Sequence, residues 1–515
     1  MSGACRGSGH TPSREWSPRP VSPGSKDRLR VLFAASEVEP FAKTGGLADV
    51  ASALPRVLAA KGHDVRVILP KYRGVEAGGP LHLVVPRLAV PIGDRIVEGA
   101  LWEGRLGGTV PVYFVAQDHY YDRPALYGTA DGPFADNCER FTFFCRAALT
   151  ALADLGWMPQ VIHAHDWQTG LVPVYLETLF WDRPGYGDVA TVFTVHNLAY
   201  QGLFWHYDLP MTGLGWDLFT PAGLEFYGHL SFLKGGLVFS DLLTTVSPTY
   251  AREIQTPEYG EGLDGVLRER SSDLSGILNG LDTGAWNPAV DGELPKPFAA
   301  GDLDGKAACT AGLREELGLR DPGGRAPLCA VVSRLAEQKG LDSVAEAVPD
   351  LVAARAQLAV LGSGEERYEN VFAHLARTYP GMVQVRLSFD ESLAHRIYAG
   401  ADVFLMPSRY EPCGLGQLIA LRYGAVPVVR RTGGLADTVR EWRPASGQGT
   451  GFLFDAPVVE EFREALGRAL RAYRDSAGWR RLVQNAMAED FSWEVSAEAY
   501  VTCYRKAIKK ARRHA

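Results

Sequence analysis

The sequence predicts an α/β fold built from two doubly wound domains that face each other across a deep cleft. The chain has 515 residues, and because single hydrophobic cores stop growing at about 250–300 residues, at least two domains are expected. Short runs of apolar and β-branched residues alternate with helical segments, which is the pattern of parallel sheets covered by helices on both faces. A stretch rich in Gly, Pro, Asp and Asn, residues 279–302, divides these runs into two sets and is typical of a linker.

The runs predict strands both before and after this linker. Each run is short, rich in Val, Leu, Ile or Phe, and followed by Gly or by polar residues. The final segment, residues 492–515, has helical apolar spacing and a basic end that complements the helix dipole. The predicted strands are 30–36, 65–70, 111–116, 160–166, 191–196 and 241–247 in the first set, and 328–334, 357–362, 383–389, 402–408 and 425–431 in the second.

These elements divide the chain into four predicted segments. Residues 1–28 are rich in Gly, Ser, Pro and Arg and lack the hydrophobic core of a secretory signal, so we expect a disordered tail, with a transit-like segment as the alternative. Residues 29–283 and 284–490 are the two Rossmann-like domains, and residues 491–515 are the terminal helix.

Composition excludes several classes of function. A net charge of −7 argues against general binding to nucleic acids or acidic membranes, so an anionic ligand must meet a local basic site. Seven cysteines are scattered without a CxxC pair, which indicates reduced thiols in the cytoplasm rather than a disulfide framework. No run of 18 apolar residues occurs, so no membrane span is predicted.

One string, TGGLAD, occurs twice, at residues 44–49 and 432–437. The first copy follows the first strand of its set and the second copy follows the fifth, so a simple duplication does not explain it. Paired glycines let a backbone approach a ligand closely, and a helix N-terminus offers free N–H groups to an anion. We predict that the copies lie on the two walls of one ligand cleft, with a structural turn as the alternative. The residues concerned are Gly45, Gly46, Thr432, Gly433 and Gly434.

Cations accompany these strand ends. Lys43 precedes the first copy and Arg431 the second, and the loop SRLAEQKG, residues 333–340, carries Arg334 and Lys339. Guanidinium and ammonium groups bind phosphoryl oxygens. The set therefore predicts contacts to a diphosphate, with solvated loop residues as the alternative.

Polar residues also end two strands of the first set, in HAHDWQTG and TVHN. His163, His165 and His196 raise the alternative of a metal site, but no carboxylate-rich partner motif follows them. Histidine, aspartate and asparagine side chains can orient and discriminate hydroxyl groups. We therefore predict that this segment, including Asp166, hydrogen-bonds a polyhydroxylated substrate.

The string PSRYEPCGLGQLIAL, residues 407–421, follows the fourth strand of the second set. Glu411 is predicted in a loop ahead of a helix that begins near Gly414, so it is either a ligand-facing carboxylate or a capping residue. Cys413 lacks an adjacent base in the sequence, and a packed small residue is favoured over a nucleophile.

Taken together, these strings resemble the bacterial glycogen synthases and plant starch synthases, from about residue 29 to about residue 505. The resemblance implies retaining glycosyltransferases of the GT-B fold, with an acceptor-side first domain, a nucleotide-sugar-binding second domain and a terminal helix that packs back on the first domain. It further implies transfer of glucose from ADP-glucose to an α-1,4-glucan such as glycogen, with no metal ion or other cofactor. The matching strings are KTGGLADV, HAHDW, FTVHNLAYQG, TTVSPTYAREIQTPEYGEGL, GILNGLD, SRLAEQKG, PSRYEPCGLGQL and RRTGGLADTV.

The resemblance also implies roles for single residues. Arg334 and Lys339 match the pair that neutralises the donor diphosphate, Glu411 matches the carboxylate that orients the glucose, and His196 matches a histidine near the sugar. These four form the predicted catalytic set. Phe389 stands where the family has an aromatic residue against the base, often Tyr, and stacking survives the loss of the hydroxyl. The predicted substrate-binding set is Lys43, Gly45, Gly46, Asp49, His165, Asp166, Asn279, Phe389, Cys413, Gly414, Leu415, Gly416, Thr432, Gly433 and Gly434.

Two positions depart from the family pattern. Gln168 stands where the family often has His, and Gly416 stands where Thr or Asn is common, so a hydroxyl contact to phosphate is absent there. Attack on the same face as departure is favoured over a double displacement, because only Glu411 offers a nucleophile, but both mechanisms stay open. The alternative functions are another GT-B transferase using UDP-glucose and an inactive glucan-binding protein.

Overall fold

The computed structural model describes residues 28–129, 132–321 and 326–512. The tail predicted for residues 1–28 lies outside this part of the chain, apart from Arg28. Within it, two α/β domains each have their own buried core, and every predicted strand is present. Several strands end earlier than predicted, because the polar residues at their carboxyl ends already belong to loops. The predicted α/β fold class is confirmed.

The first domain combines a large mixed sheet with two small antiparallel sheets. Its strands are β1 Arg30–Ala34, β2 Asp64–Pro70, β3 His82–Ile92, β4 Arg95–Leu106, β5 Val110–Ala116, β6 Gly128–Thr129, β7 Gly132–Pro133, β8 Val161–His165, β9 Ala190–Val195, β10 Leu203–Trp205, β11 Glu225–Phe226, β12 His229–Ser231, β13 Leu242–Thr245 and β14 Leu274–Gly276. Its α-helices are α1 Gly46–Ala60, α2 Asp118–Tyr121, α3 Asn137–Asp154, α4 Leu171–Tyr175, α5 Leu209–Thr212, α6 Phe232–Phe239, α7 Pro248–Glu253 and α8 Asp264–Glu269.

The large sheet has the order β14-β13-β9-β8-β1-β2-β5-β4-β3, with β4 and β3 added as an antiparallel hairpin at one edge. The sequence pattern does not predict this hairpin. Many of its residues are exposed or only partly buried, so the two strands lack the continuous apolar runs by which the buried parallel strands were recognised.

The second domain has one parallel sheet in the order β17-β16-β15-β18-β19-β20. Its strands are β15 Leu328–Val332, β16 Gln357–Leu361, β17 Val383–Arg386, β18 Val403–Met406, β19 Val426–Arg430 and β20 Phe452–Phe454. The helices of the second half are α9 Asp304–Leu317, α10 Leu341–Ala353, α11 Glu366–Thr378, α12 Glu391–Gly400, α13 Gly416–Arg422, α14 Gly433–Thr438, α15 Val459–Tyr473, α16 Ser476–Met487 and α17 Trp493–Ala511.

The chain crosses between the domains twice, and the two crossings lie side by side. The Leu281 N–H donates to the Phe491 carbonyl at 2.7 Å, and Leu281 also pairs with Ser492 in a parallel bridge. Gly280 lies directly against Trp493, because a Cβ added at Gly280 would come within 2.5 Å of the Trp493 Cα. The two connections therefore form one hydrogen-bonded junction.

Helix α17 packs on the sheet of the first domain. Tyr500 and Tyr504 are fully buried in the first-domain core, and the Tyr504 hydroxyl lies 2.9 Å from His163 Nδ1 on β8. The boundaries proposed for the four segments stay predictions. Among the described residues, no helix has both the length and the apolar character that crossing a membrane requires.

Candidate active site

In both domains the candidate residues follow the strands at which the order of the parallel sheet reverses. In the first domain this point lies between β1 and β8, and in the second it lies between β15 and β18. Open α/β sheets bind ligands beyond the carboxyl ends of the strands at such a switch point. The first TGGLAD copy follows β1 and the HAHD segment forms the end of β8, whereas the SRLAEQKG and PSRYEPCGLG segments follow β15 and β18.

The loops of the two domains meet. Asn197, just after β9, and Tyr410, just after β18, line one cavity of about 220 Å³ together with Tyr250, Glu261 and Arg430. Burial raises the pKa of Tyr410, and the Asn197 side chain opposes this shift. Residues from both domains therefore surround one space at the strand ends.

Glu411 and Lys339 form an ion pair in the second-domain wall of this cleft. Glu411 Oε2 accepts a hydrogen bond from Lys339 Nζ at 2.6 Å and another from Ser408 Oγ at 2.9 Å. The side chains are only 7% and 15% exposed, and charges this far from water need such partners. Two residues of the predicted catalytic set are thus in direct contact.

Arg334 lies at the edge of the same pocket. It lines a cavity of about 220 Å³ with Lys339, Glu411 and Gly416. Its side chain is exposed, and no described residue hydrogen-bonds or pairs with its guanidinium. All five guanidinium N–H groups therefore remain available to an anionic ligand.

The segment from Cys413 to Gly416 leads into α13. Burial raises the pKa of the Cys413 thiol to about 12, so the thiol stays protonated and is no nucleophile at neutral pH. Gly414 has a φ of +76°, and a Cβ added there would come within 2.3 Å of Gln417 Oε1. Leu415 is the N-cap residue of the helix, which begins at Gly416.

In the first TGGLAD copy, one side of the turn donates hydrogen bonds to a buried glutamate. The opposite side of the turn is open. Glu37 accepts hydrogen bonds from the Thr44 N–H at 2.5 Å, the Thr44 hydroxyl at 2.6 Å and the Gly45 N–H at 3.1 Å. A Cβ added at Gly45 or Gly46 would meet no atom within 4 Å. This open face leaves room for a ligand to approach the backbone closely.

Lys43 lies beside this open turn. Its Nζ is 2.9 Å from Asp49 Oδ1 and 3.6 Å from Glu39 Oε2. Burial lowers the pKa of Lys43, but the hydrogen bond and charge of Asp49 outweigh it, and with Glu39 and Glu391 they leave the pKa raised. Because Glu391 begins α12, Lys43 lies within electrostatic reach of the second domain.

In the second TGGLAD copy, the corresponding donors bind a glutamate of the other domain. Thr432 Oγ1 and the Gly433 N–H each donate to Glu253 at 3.0 Å. A Cβ added at Gly433 would come within 1.8 Å of the Glu411 carbonyl oxygen, and Gly434 is packed similarly tightly. Helix α7 of the first domain packs against α14 and supplies this carboxylate, so the ligand contact expected of this turn stays a prediction.

The last residue of the second copy adds a reciprocal bond. Asp437 accepts hydrogen bonds from the Thr249 N–H at 2.8 Å and the Thr249 hydroxyl at 2.7 Å. We call the set Thr249, Glu253, Thr432, Gly433 and Asp437 the α7–α14 contact. It joins the domains through two carboxylates, one from each side.

The three histidines cluster at the ends of β8 and β9. His165 Nδ1 lies 3.0 Å from His196 Nε2, and His163 Nε2 lies 2.6 Å from Thr194 Oγ1. Burial lowers the pKa of all three, and that of His196 falls to about 3. The imidazoles are therefore neutral at pH 7, which suits them to hydrogen bonding rather than to charge stabilisation.

Asp166 and Gln168 follow these histidines. Asp166 has a φ of +57°, a region that non-glycine residues adopt at a cost and mostly near functional sites. Its Oδ1 accepts the His196 N–H at 2.7 Å, and burial raises its pKa to about 7. Gln168 Oε1 is buried without a hydrogen-bond partner.

In the described part of the chain, no group of His, Cys, Asp and Glu side chains is arranged to hold a metal ion.

Asn279 and Phe389 have contrasting surroundings. Asn279 is buried, and its Oδ1 has no hydrogen-bond partner. Phe389 is 86% exposed on the loop before α12. Its stacking on a base stays a prediction.

Neither glutamate that accepts hydrogen bonds from the TGGLAD turns was predicted from the sequence. Glu37 follows β1 closely, so the rule that selected the strand-end histidines could have found it. Glu253 gave no such signal, because it lies 180 residues from Gly433. Thr249 was missed for the same reason.

Two family models match most of the chain. Residues 30–269 match the starch synthase catalytic domain, and residues 321–486 match glycosyl transferases group 1. A glycogen synthase from Syntrophotalea carbinolica is 51% identical over 485 residues, which covers 93% of this chain and 99% of that protein. A glycogen synthase from Anaeromyxobacter dehalogenans is 51% identical over 480 residues, with the same shares covered.

Solved structures agree with these matches. The catalytic domain of starch synthase IV from Arabidopsis thaliana, bound to ADP and acarbose, superposes with a TM-score of 0.87 at 36% identity and covers 94% of this chain and 100% of that one. Sucrose-phosphate synthase from Thermosynechococcus elongatus gives a TM-score of 0.58 at 18% identity over 93% of this chain and 99% of that one, which shows a likeness of fold alone. The chain therefore belongs to the glycogen synthase and starch synthase family, glycosyltransferases of the GT-B fold.

Proposed function

We propose that this chain transfers glucose from ADP-glucose to the non-reducing end of an α-1,4-glucan such as glycogen, with retention of configuration. The observation that carries this proposal is the Lys339–Glu411 ion pair beside the unpaired Arg334. A departing diphosphate requires cations, and a glucosyl group that gains positive charge requires a nearby electron-rich oxygen. One pocket at the switch point of the second domain holds both kinds of group.

The two cations would act on the leaving group. Arg334 and Lys339 stabilise the negative charge that grows on ADP as the bond to glucose breaks. Because Lys339 contacts Glu411 directly, binding of the diphosphate to Lys339 weakens its hold on the carboxylate. Glu411 is then free to orient the sugar and to stabilise the charge at its anomeric carbon.

The bond changes balance without a further reagent. The bond between the anomeric carbon and the diphosphate oxygen breaks, and its electron pair leaves with ADP. The acceptor 4-hydroxyl oxygen bonds to the anomeric carbon on the same face, and a departing phosphate oxygen takes its proton. Neutral His196 supplies a hydrogen bond to a sugar hydroxyl. A double displacement through Glu411 is the second route.

The first-domain wall would complete the donor site. The open turn at Gly45 and Gly46, with Lys43 beside it, supplies close backbone approach and a positive charge. These groups meet the donor only when the domains approach each other, so donor binding favours a closed form. ADP as the nucleotide is supported by the likeness to a starch synthase structure bound to ADP. A cytoplasmic setting is supported by the free cysteines of the described residues.

The test is to incubate the protein with ADP-glucose and glycogen and to measure ADP release. We expect release with ADP-glucose at a far higher kcat/KM than with UDP-glucose, and undiminished release in excess EDTA. Equal or reversed donor values would overturn the donor assignment. Loss of activity in EDTA that Mg²⁺ restores would overturn the metal-free mechanism, and absence of release with either donor would leave a glucan-binding protein.

A further inference from the structure

A cavity in the second domain lies apart from the candidate active site and has several arginines in its wall. Its volume is about 760 Å³, which is large enough for a small organic ligand. Among the described residues, none lines both this cavity and either of the two cavities at the strand ends. We call it the arginine cavity, after Arg431, Arg440, Arg443 and Arg481.

Two of these arginines have carboxylate partners. Arg431 pairs with Asp455 at 2.8 Å, and the Arg440 guanidinium donates hydrogen bonds to both carboxylate oxygens of Glu489. The protein itself therefore supplies a counter-charge for each of them.

The other two arginines lack such partners. Arg443 and Arg481 are exposed, and no described residue hydrogen-bonds or pairs with either guanidinium. Glu441 also lines the cavity, but its carboxylate accepts hydrogen bonds from the Arg468 side chain and the Leu453 N–H. Two positive charges in the wall of the cavity are thus left for an anionic ligand.

One tight turn places these two arginines close together. The Arg443 N–H donates to the Gln448 carbonyl at 2.8 Å, and the Gly447 N–H donates to the Arg443 carbonyl at 2.9 Å. Arg481 on α16 lies directly on this turn, because a Cβ added at Gly447 would come within 2.5 Å of the Arg481 Cζ. The glycine therefore leaves the room that the Arg481 guanidinium occupies beside the turn that carries Arg443.

Helix α16 also holds the turn in place. Asn485 lies one helical turn after Arg481, and its side-chain amide donates to the Gly447 and Gly449 carbonyls at 3.0 and 3.1 Å. These glycines have φ of +64° and +112°, a region of backbone conformation that favours glycine. Because the turn is already fixed, little conformational entropy is lost when a ligand binds to it.

The lining residues indicate the class of anion. Guanidinium groups bind phosphoryl oxygens in a bidentate manner, more strongly than they bind a simple monovalent anion. Gln448 and Asn485 supply amide groups that can hydrogen-bond hydroxyls. Among the described residues, no aromatic side chain lines the cavity, so a nucleotide base would have no ring on which to stack. A phosphorylated sugar therefore fits the cavity better than a nucleotide does.

We propose that the arginine cavity binds a small phosphorylated sugar, with Arg443 and Arg481 each binding a phosphoryl group. A sugar with two phosphoryl groups supplies a partner for both guanidinium groups, whereas a sugar with one leaves the second guanidinium unpaired. The site is separate from the donor site and does not depend on the proposed transfer.

The test measures binding by isothermal titration calorimetry at constant ionic strength, with fructose 1,6-bisphosphate as the probe. We expect Arg443→Gln/Arg481→Gln to bind the probe at least about tenfold more weakly than wild type does. Arg480→Gln is the matched control, because Arg480 adjoins Arg481 on α16, is exposed and does not line the cavity. The control should bind as wild type does, and fructose 6-phosphate should bind to wild type more weakly than the bisphosphate.

A second comparison separates the arginine cavity from the donor site. Arg334→Ala should weaken the binding of ADP and leave the binding of fructose 1,6-bisphosphate unchanged, whereas the double variant should show the reverse. The bisphosphate should also raise the Tm of wild type and not that of the double variant. Unchanged ADP binding by Arg334→Ala would count against the proposed transfer alone, because binding of the bisphosphate needs no turnover.

Three results would overturn the proposal. The first is absence of binding to wild type, or equal binding by wild type and the double variant, and Arg443→Gln alone makes this comparison if the double variant folds poorly. The second is equally tight binding of sulfate, which would make the cavity a general anion-binding surface. The third is loss of bisphosphate binding in Arg334→Ala, which would place the probe in the donor site.

Discussion

The two TGGLAD turns share a sequence and a hydrogen-bonding device but have opposite surroundings. In each, a threonine hydroxyl and a glycine N–H donate to a glutamate, Glu37 in the first turn and Glu253 in the second. An added Cβ at Gly45 meets nothing within 4 Å, whereas one at Gly433 comes within 1.8 Å of Glu411. The first glutamate comes from the same domain, and the second comes from the other.

The TGGLAD string and the packing around each copy determine different properties of the turn. The string specifies a turn whose donors require an acceptor, and in both places a carboxylate fills that need. Whether a turn can bind a ligand depends on the face of the turn that does not contact the glutamate. In the first turn that face is open beside Lys43. In the second it is packed against the Glu411 backbone, where the Gly434 N–H donates to the Glu411 carbonyl at 3.0 Å.

The largest effect should come from replacing the first glycine of each turn by alanine, which adds one carbon atom. Gly433 has a φ of +43° and no room for a Cβ, so Gly433→Ala must displace the Glu411 backbone and should lower kcat at least about 100-fold, roughly 2.7 kcal/mol. Gly45 has a φ of −156°, which alanine adopts freely, so Gly45→Ala should keep the wild-type Tm and raise the KM for the donor. Steady-state ADP release and thermal unfolding measure both. A kcat for Gly433→Ala within a few-fold of wild type would refute the packing role.

The second-largest effect should come from replacing the glutamate that each turn binds. Glu37 is 4% exposed and accepts from Thr44, Gly45 and Tyr127, so Glu37→Gln leaves buried donors unsatisfied and should cost about 1–3 kcal/mol of stability. Glu253→Gln should cost less, because water reaches that partly buried side chain. Calorimetric unfolding of the two variants measures this difference. An equal or larger loss with Glu253→Gln would contradict it.

Replacing the cation before each string should have a smaller effect, on catalysis alone. Lys43 lies near the second domain, so Lys43→Ala should lower kcat/KM for ADP-glucose about tenfold, close to 1.4 kcal/mol. It should also reduce the donor-induced compaction seen by X-ray scattering. Arg431 pairs with Asp455 on the surface at 2.8 Å, and Arg431→Ala should change neither. Normal closure and kcat/KM in Lys43→Ala would show that the first turn is not part of the donor site.

The smallest effect concerns pH. Burial raises the pKa of Glu253, although hydrogen bonds from Gly433 and Thr432 oppose the shift. The folded protein therefore binds this proton more tightly than the unfolded chain does, so stability attributable to Glu253 is lost as the pH rises from the unfolded towards the folded pKa. The Tm of wild type relative to Glu253→Gln should rise as the pH is lowered from neutral towards 4.5. A Tm difference that is independent of pH would contradict this sign.

The sequence predicted the candidate site as far as it placed residues on strand-end loops, whereas the neighbours of each strand became known only from the structure. Glu411 and Lys339 lie 72 residues apart, yet both were placed on strand-end loops, and their strands β18 and β15 are neighbours in the sheet. Their loops therefore had to meet. The α7–α14 contact escaped prediction because it depends on how two separate domains pack. The β3–β4 hairpin escaped because half-exposed strands lack continuous apolar runs.

The double crossing at Leu281 and Phe491 constrains how the cleft can move. A single covalent connection between two domains permits rotation about three axes. Two adjacent chain segments are joined here by a backbone hydrogen bond and a parallel bridge. Such a pair resists twisting, so we expect relative motion mainly about one axis. We therefore expect the two domains to move relative to each other by hinge motion. If the donor closes the cleft as proposed, a hinge of this kind would bring Lys43 back to the same place relative to Arg334 and Lys339 in every cycle.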